Sequence, residues 1–138
     1  HTAMMDIKQA YYDIGKAVKG VCEKVYARNR PKSVENRPES YIVVRLPYSI
    51  KNEEMDFAGT YNDYTTTAQI EIYVRDTVSA RNPNGADIEG LSEKVARVME
   101  KFPIMTENIV VTRPRVTLQT DDGEGYGVAI VTARVRTR

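Results

Sequence analysis

Apolar and polar residues alternate along residues 65–76, whose sequence is TTTAQIEIYVRD. Ala68, Ile70, Ile72 and Val74 fall on one side of an extended chain, and the residues between them fall on the other. A period of two is typical of a β-strand that covers a core with one face only. The sequence therefore predicts a strand with a polar second face, which is solvated surface, a ligand site or a contact with another subunit.

Two segments have apolar residues at steps of three and four, which predicts amphipathic helices. The first is expected over residues 7–26 with Asp6 as its N-cap, although Gly20 weakens it locally. The second is expected over residues 88–102, after Asp87 as its N-cap. Its apolar stripe consists of Ile88, Leu91, Val95, Val98 and Phe102.

Three further segments are predicted to be strands. YIVVRLP alternates and stops at Pro47, and residues 110–120 and 126–136 flank the turn DDGEG. Apolar residues on both faces near 128–131 indicate a strand that is covered on both sides. The order α-β-β-α-β-β predicts an α+β fold, an antiparallel sheet of about four strands with two amphipathic helices packed on one face.

The composition limits the classes of function that the chain can have. The chain has 138 residues, 41% hydrophobic and 28% charged, and a net charge of +1, which is typical of one soluble globular domain. We assign that domain to residues 5–138, because residues 1–4 are similar to the remnant of an expression tag rather than to a secretory signal. This assignment removes the only histidine, so Cys22 has no histidine to activate it and is expected to be a packing residue.

The absence of histidine argues against metal-dependent and triad catalysis, and the sequence indicates no catalytic, cofactor-binding or metal-binding residues. The near-neutral charge argues against a dedicated nucleic-acid binder. Two carboxylate clusters, NEEMD at 52–56 and DDGE at 121–124, lie in predicted loops. Solvated turns are the favoured interpretation of both, contact with another subunit is the next, and catalysis is the last. The glycines of NPNGAD and GEGYG fit neither a phosphate loop nor a dinucleotide-binding turn.

A basic stripe is expected at the end of the last strand, where Arg134, Arg136 and Arg138 alternate, with Arg113 and Arg115 on the hairpin partner. Such a stripe can meet phosphates or an acidic protein surface, and the alternative is that it guards a solvated edge. Tyrosines flank the long loop 48–64. Because tyrosine is favoured where proteins meet, the loop is predicted to dock on a neighbour, with local packing as the alternative.

The order of these elements resembles the tail terminator, or tail completion, proteins of long-tailed bacteriophages. The resemblance covers nearly the whole chain, and it is carried by KVYARNRP, ESYIVVRLP, TTTAQIEIYVRD, IEGLSEKVARVMEKF and RVTLQTDDGEGYGVAIVTARVRTR. It implies a small subunit that forms a homohexameric ring at the head-proximal end of the tail tube. There the ring would stop tube polymerisation and join the head connector, in the virion tail and, during assembly, in the host cytoplasm. The resemblance thus implies a structural protein that is not an enzyme.

The resemblance also implies partners: other copies of the chain, the tail tube protein and the head-tail connector, with no membrane. In a ring, each subunit presents one surface to a different surface of its neighbour. The basic stripe is expected to face a partner protein or DNA that passes through the ring. The expected subunit contacts, on the long loop and on the exposed face of the 65–76 strand, are Tyr48, Glu53, Glu54, Asp56, Phe57, Tyr61, Tyr64, Gln69, Glu71, Tyr73 and Arg75.

Two other functions remain open at this stage. One is a head-tail connector or baseplate subunit with a similar small fold. The other is a small ligand-binding or enzymatic α+β domain. That second alternative requires a concave, mainly apolar pocket with a few converging polar groups.

Overall fold

The computed structural model describes residues 4–55, 61–76, 87–119 and 121–138. Its α-helices within these residues are α1, Ile7–Val18, and α2, Asp87–Met99, and neither has the length and apolar character needed to cross a membrane. A short 3₁₀ turn, Val34–Asn36, lies in the connection between the first two strands. The β-strands are β1 (Lys24–Ala27), β2 (Ser40–Arg45), β3 (Lys51–Met55), β4 (Tyr61–Arg75), β5 (Ile104–Met105), β6 (Ile109–Gln119) and β7 (Tyr126–Thr137).

These strands form a mixed sheet, and the predicted antiparallel sheet of about four strands was wrong. Over the described ranges, the sheet has seven strands in the order β1-β2-β4-β7-β6-β5, and β3 pairs with the first part of β4. β1 runs parallel to β2, whereas the other neighbouring strands are antiparallel. The sheet curls into a half-barrel. The strands missed by the prediction are β1, β3 and β5, which are only two to five residues long and therefore show no clear period.

The parallel strand β1 lies where the sequence predicted the second half of a helix. α1 begins as expected, with the Asp6 carboxylate accepting a hydrogen bond from the Gln9 N–H at 3.1 Å, but it ends at Val18. Gly20 has a φ of +91°, a left-handed conformation that ends helices and that glycine adopts without steric cost. Val25 continues the helical spacing in the sequence but packs on the core from an extended chain.

The main core lies between the sheet and both helices. The inward residues of β4 are those predicted by the alternation, and all four are 8% exposed or less. Burial of one large aliphatic side chain contributes about 1.5–3 kcal/mol, so this layer supplies most of the driving force for folding. The contributing residues include Ala10, Ile14 and Val18 of α1, Leu91 and Val98 of α2, Ile42 and Val44 of β2, Ala68, Ile70, Ile72 and Val74 of β4, and Val131, Ala133 and Val135 of β7.

β7 occupies the middle of the sheet, between β4 and β6. Val128 and Ala129, which point to opposite faces, are 2% and 0% exposed. The prediction of a strand covered on both sides is therefore confirmed. The hairpin turn before β7 is confirmed as well, because Gly123 and Gly125 have φ angles of +80° and +89°.

β6 changes register in its middle. It pairs with β7 on either side of a bulge between Thr112 and Arg115, where Arg113 has a φ of +55°. β5 covers only the first part of β6, so the outer edge beyond the bulge has no strand partner among the described residues. Leu118 on this second part is 73% exposed.

Candidate functional site

The polar face of β4 carries a buried aromatic cluster. Tyr73 of β4 stacks on Tyr41 of β2, with ring centroids 4.6 Å apart and an interplanar angle of 12°. Tyr126 of β7 packs edge-on against Tyr41 at a centroid distance of 5.3 Å. Val43 and Val128 complete this second core, on the sheet face opposite the helices. The alternation of residues 65–76 did not show what this polar face contacts. In the structure, other parts of the same chain cover much of it.

The connection between β1 and β2 covers the aromatic cluster, and we call residues 29–39 the cover segment. The guanidinium of Arg30 lies over the Tyr73 ring, 4.8 Å from its centroid. Arg30 also donates a hydrogen bond to the Tyr41 hydroxyl at 3.1 Å. A cation over an aromatic face is attracted by the ring quadrupole, so Arg30 fixes the cover segment to both stacked tyrosines.

Arg30 binds two acids of the β6–β7 turn as well. Its two terminal nitrogens lie 2.6 Å from a carboxylate oxygen of Asp122 and 2.6 Å from one of Glu124. The Asp122 side chain is only 6% exposed and accepts hydrogen bonds from the N–H groups of Glu124 and Tyr126. Burial acts to raise the pKa of Asp122, but Arg30 and the backbone donors outweigh it and hold that pKa below its usual value. The interpretation of DDGE as a solvated turn was therefore wrong for Asp122.

The other end of the cover segment is held by backbone carbonyls. The buried Arg37 donates from Nε to the Pro31 carbonyl at 2.8 Å, which closes the segment into a compact loop. The Tyr126 hydroxyl donates to the Pro38 carbonyl at 2.7 Å. Arg75 lies over the Tyr126 ring, 5.0 Å from its centroid, and donates to the Arg37 carbonyl at 2.9 Å. Both ends of the segment are thus tied to the sheet.

Glu71 is a further buried acid on the polar face of β4. Arg45 Nε lies 2.9 Å from its carboxylate, the Tyr73 hydroxyl donates to it at 2.9 Å, and the Gln69 amide donates to it at 2.6 Å. Glu71 and Tyr73 are 6% and 7% exposed, so the expectation that they lie on an exposed face was wrong. Gln69 and Arg75 are half-buried, and their role in subunit contacts stays a prediction.

The predicted contact loop 48–64 is in large part a hairpin. Its first strand, β3, pairs with residues 61–65 of β4, whereas β7 pairs with β4 only from Thr65 onward. The two described strands therefore extend past the last residue of β4 that pairs with β7, and we call residues 51–55 and 61–64 the arm. Tyr48 is 56% exposed and Tyr64 packs on the main core. The side chains of Glu53, Glu54 and Tyr61, and all of Asp56 and Phe57, lie outside what the structure describes.

The basic stripe at the end of β7 is partly tied to its own chain. Arg136 lies 3.6 Å from the Asp63 carboxylate, and Arg138 donates to the Thr106 carbonyl at 2.9 Å. Arg134 is half-buried. A contact of this stripe with DNA or a partner protein stays a prediction.

Asp13 is the buried acid of α1, and it joins the helix to the start of β6. Its carboxylate accepts hydrogen bonds from the Thr106 hydroxyl at 2.7 Å, the Gln9 amide at 2.8 Å and the Asn108 amide at 3.1 Å. Burial acts to raise the pKa of Asp13, but these donors outweigh it and lower that pKa. The arrangement is a structural tie, because each donor belongs to the chain.

An open groove of about 1030 Å³ lies between α1 and β1, at the edge of the sheet. Tyr11, Val25 and Val44 contribute to its apolar floor. The buried Cys22 also borders it, and burial raises the pKa of the thiol to about 11. Cys22 belongs to the main core, so its prediction as a packing residue is confirmed. Five cationic residues and one acid line the groove: Lys8, Lys16, Lys19, Lys24, Arg28 and Glu23.

Sequence reasoning missed both the cover segment and the groove. The tripeptide Asn-Arg-Pro occurs twice within the cover segment, at residues 29–31 and 36–38. Its two arginines, Arg30 and Arg37, are the residues that anchor the segment. This repeat could have indicated that the two arginines have a specific structural role. The groove had no comparable signal in the sequence, because it depends on the strand β1, which was not predicted.

No family model and no curated protein matches the chain. Thirty solved chains match its fold. One of them, whose name states no activity, is 14% identical, with a TM-score of 0.57 over 95% of this chain and 93% of that chain. At this identity the likeness shows a shared fold and carries no information on function.

Proposed function

We propose that this chain is a structural virion protein similar to phage tail terminators, which assembles into a ring that caps the tail tube and joins it to the head connector. The resemblance of the sequence segments described above supports this proposal. The structural observation that supports the proposal is the geometry of the arm. Beyond the last β7 partner, the arm is a two-stranded ribbon without a further strand partner among the described residues.

An isolated two-stranded hairpin is only marginally stable in water, so the arm gains most if it packs on another surface. A neighbouring copy of the chain can supply that surface. Because the arm and its acceptor would be different parts of the molecule, the contact is heterologous, and such contacts close into a ring when the rotation per subunit allows it. One face of the ring would then match the end of the tube and stop its growth.

Two experiments test the proposal. Light scattering during gel filtration measures the mass of the full chain over a range of concentrations, and we expect a closed oligomer of one size. Electron micrographs of phage that lack the protein are expected to show overlong or unattached tails. Normal virions without the protein would contradict the proposal, and normal tail length with failed joining would favour a connector instead.

A small ligand-binding domain is the second candidate, because the groove is concave and largely apolar with a cationic rim. The ligand that fits this chemistry is an amphipathic anion such as a fatty acid. Titration calorimetry with laurate tests it. Saturable binding of one laurate per chain would favour this candidate, and the absence of saturable binding would exclude that class of ligand.

A further inference from the structure

We infer that the groove between α1 and β1 receives the arm of a neighbouring copy, so that each subunit gives one arm and accepts one. The inference rests on the proposed ring and goes further by naming the acceptor surface. Three properties of the groove carry it: an open strand edge, exposed apolar side chains, and positive charge that has no ion-pair partner among the described residues.

The open strand edge belongs to β1. The Arg28 N–H donates to the Val44 carbonyl at 2.8 Å, and Ala27 is the residue in register with Val44. In a parallel ladder, alternate residues bond to the partner strand, so Val25 directs its N–H and C=O away from β2. The edge is therefore able to accept an extended chain as an added strand, a common mode of segment recognition.

Exposed apolar side chains lie beside this edge. Ile7 and Tyr12 of α1 are 45% and 60% exposed, although an amphipathic helix normally buries such residues. An added strand would place alternate side chains against the groove floor and against these two residues. The contact would thus combine main-chain hydrogen bonds with burial of apolar surface.

The charge of the groove is complementary to that of the arm. Lys19 and Lys24 line the groove, are exposed, and have no ion-pair partner in the part of the chain that the structure describes. The arm begins with KNEEM, so its sequence holds Glu53 and Glu54 against one lysine. Opposite charges on two surfaces steer them together and fix the register of the contact.

A reciprocal charge exchange tests the inference. The groove variant Lys19→Glu/Lys24→Glu and the arm variant Glu53→Lys/Glu54→Lys should each raise the concentration needed for association at least tenfold. The quadruple variant, with both exchanges, should associate again. A mixture of the groove variant and the arm variant should also associate, as a ring in which the two alternate. The matched control is Lys32→Glu/Lys101→Glu, which makes the same change of charge at exposed positions outside the groove lining, the arm and the basic stripe.

Mass measurement and sedimentation provide the readout, and circular dichroism verifies that each variant is folded. Association of both double variants at the wild-type concentration would overturn the inference while the ring proposal stands. A wild-type chain that stays monomeric at its highest soluble concentration would overturn the inference, and the tail phenotype then decides the ring proposal separately. If the groove variant loses laurate binding and keeps its association, the occupant is a small molecule and the inference is wrong.

Discussion

Replacement of Arg30 by alanine should destabilise the folded chain strongly, because Arg30 fixes the cover segment to both the stacked tyrosines and the β6–β7 turn. Breaking a buried ion pair costs about 3–5 kcal/mol. The Arg30 and Asp122 side chains are 19% and 6% exposed, and Asp122 keeps two backbone donors, so the lower end of this range applies. Loss of the cation over Tyr73 adds about 0.5–1 kcal/mol. We therefore expect the free energy of unfolding to fall by about 3–4 kcal/mol.

Urea unfolding measures this loss. With a dependence on urea of about 2 kcal/mol per molar, the midpoint should fall by roughly 1.5–2 M. The chain has no tryptophan, so far-ultraviolet and tyrosine near-ultraviolet circular dichroism are the signals. Arg30→Lys should recover only part of the loss, because lysine lacks the planar fork that spans both acids. Arg115→Ala is the control, since Arg115 is exposed, and a loss for Arg30→Ala no larger than in this control would refute the reasoning.

Three further predictions concern the residues Asp13, Cys22 and Gly90. The pKa of Asp13 is lower in the folded chain than its ordinary 3.8, so its stabilisation is complete above pH 3.8 and is lost as the pH falls through the folded value. Asp13→Asn should flatten the fall of the urea midpoint below pH 3.8, and an unchanged slope would contradict this. Cys22 has a pKa of about 11 and is buried, so at pH 8 it should react with Ellman's reagent only after addition of urea. Equal rates in native and unfolded protein would be inconsistent with its burial. Gly90→Ala should destabilise by about 1–2 kcal/mol, because a Cβ at Gly90 would lie 2.9 Å from Cγ1 of Val74. In a Val74→Ala background, calorimetry should find the same change neutral or stabilising, as helix propensity predicts.

Long periodic segments could be predicted from the sequence, and short ones could not. The strand around Ile70, the start of α1 at Asp6 and the β6–β7 hairpin follow from periods and turn residues that extend over many positions. β1 and β5 are too short to show a period, and Val25 fits a helical stripe as well as an extended chain. Exposure of Ile88, which is 63%, was missed because the spacing that predicts a helix does not show where the sheet ends beneath it.

The network on the polar face was not predictable from local pattern. Alternation around Tyr73 shows which side chains share a face, but it contains no information on what covers that face. The cover depends on Arg30 meeting Asp122, which is 92 residues away in the sequence. Only the repeated Asn-Arg-Pro indicated that the cover segment has a structural role. A single sequence does not show which acidic residues its arginines contact.

The same separation affects the order in which the molecule can be completed during synthesis. The ribosome produces Arg30 early, but the acids that anchor it, Asp122 and Glu124, emerge only when the final hairpin is made. Until then the stacked tyrosines of β2 and β4 have no fastened cover. A chain truncated before the last turn would lack both this clamp and the central strand β7, so neither face of its sheet could be completed.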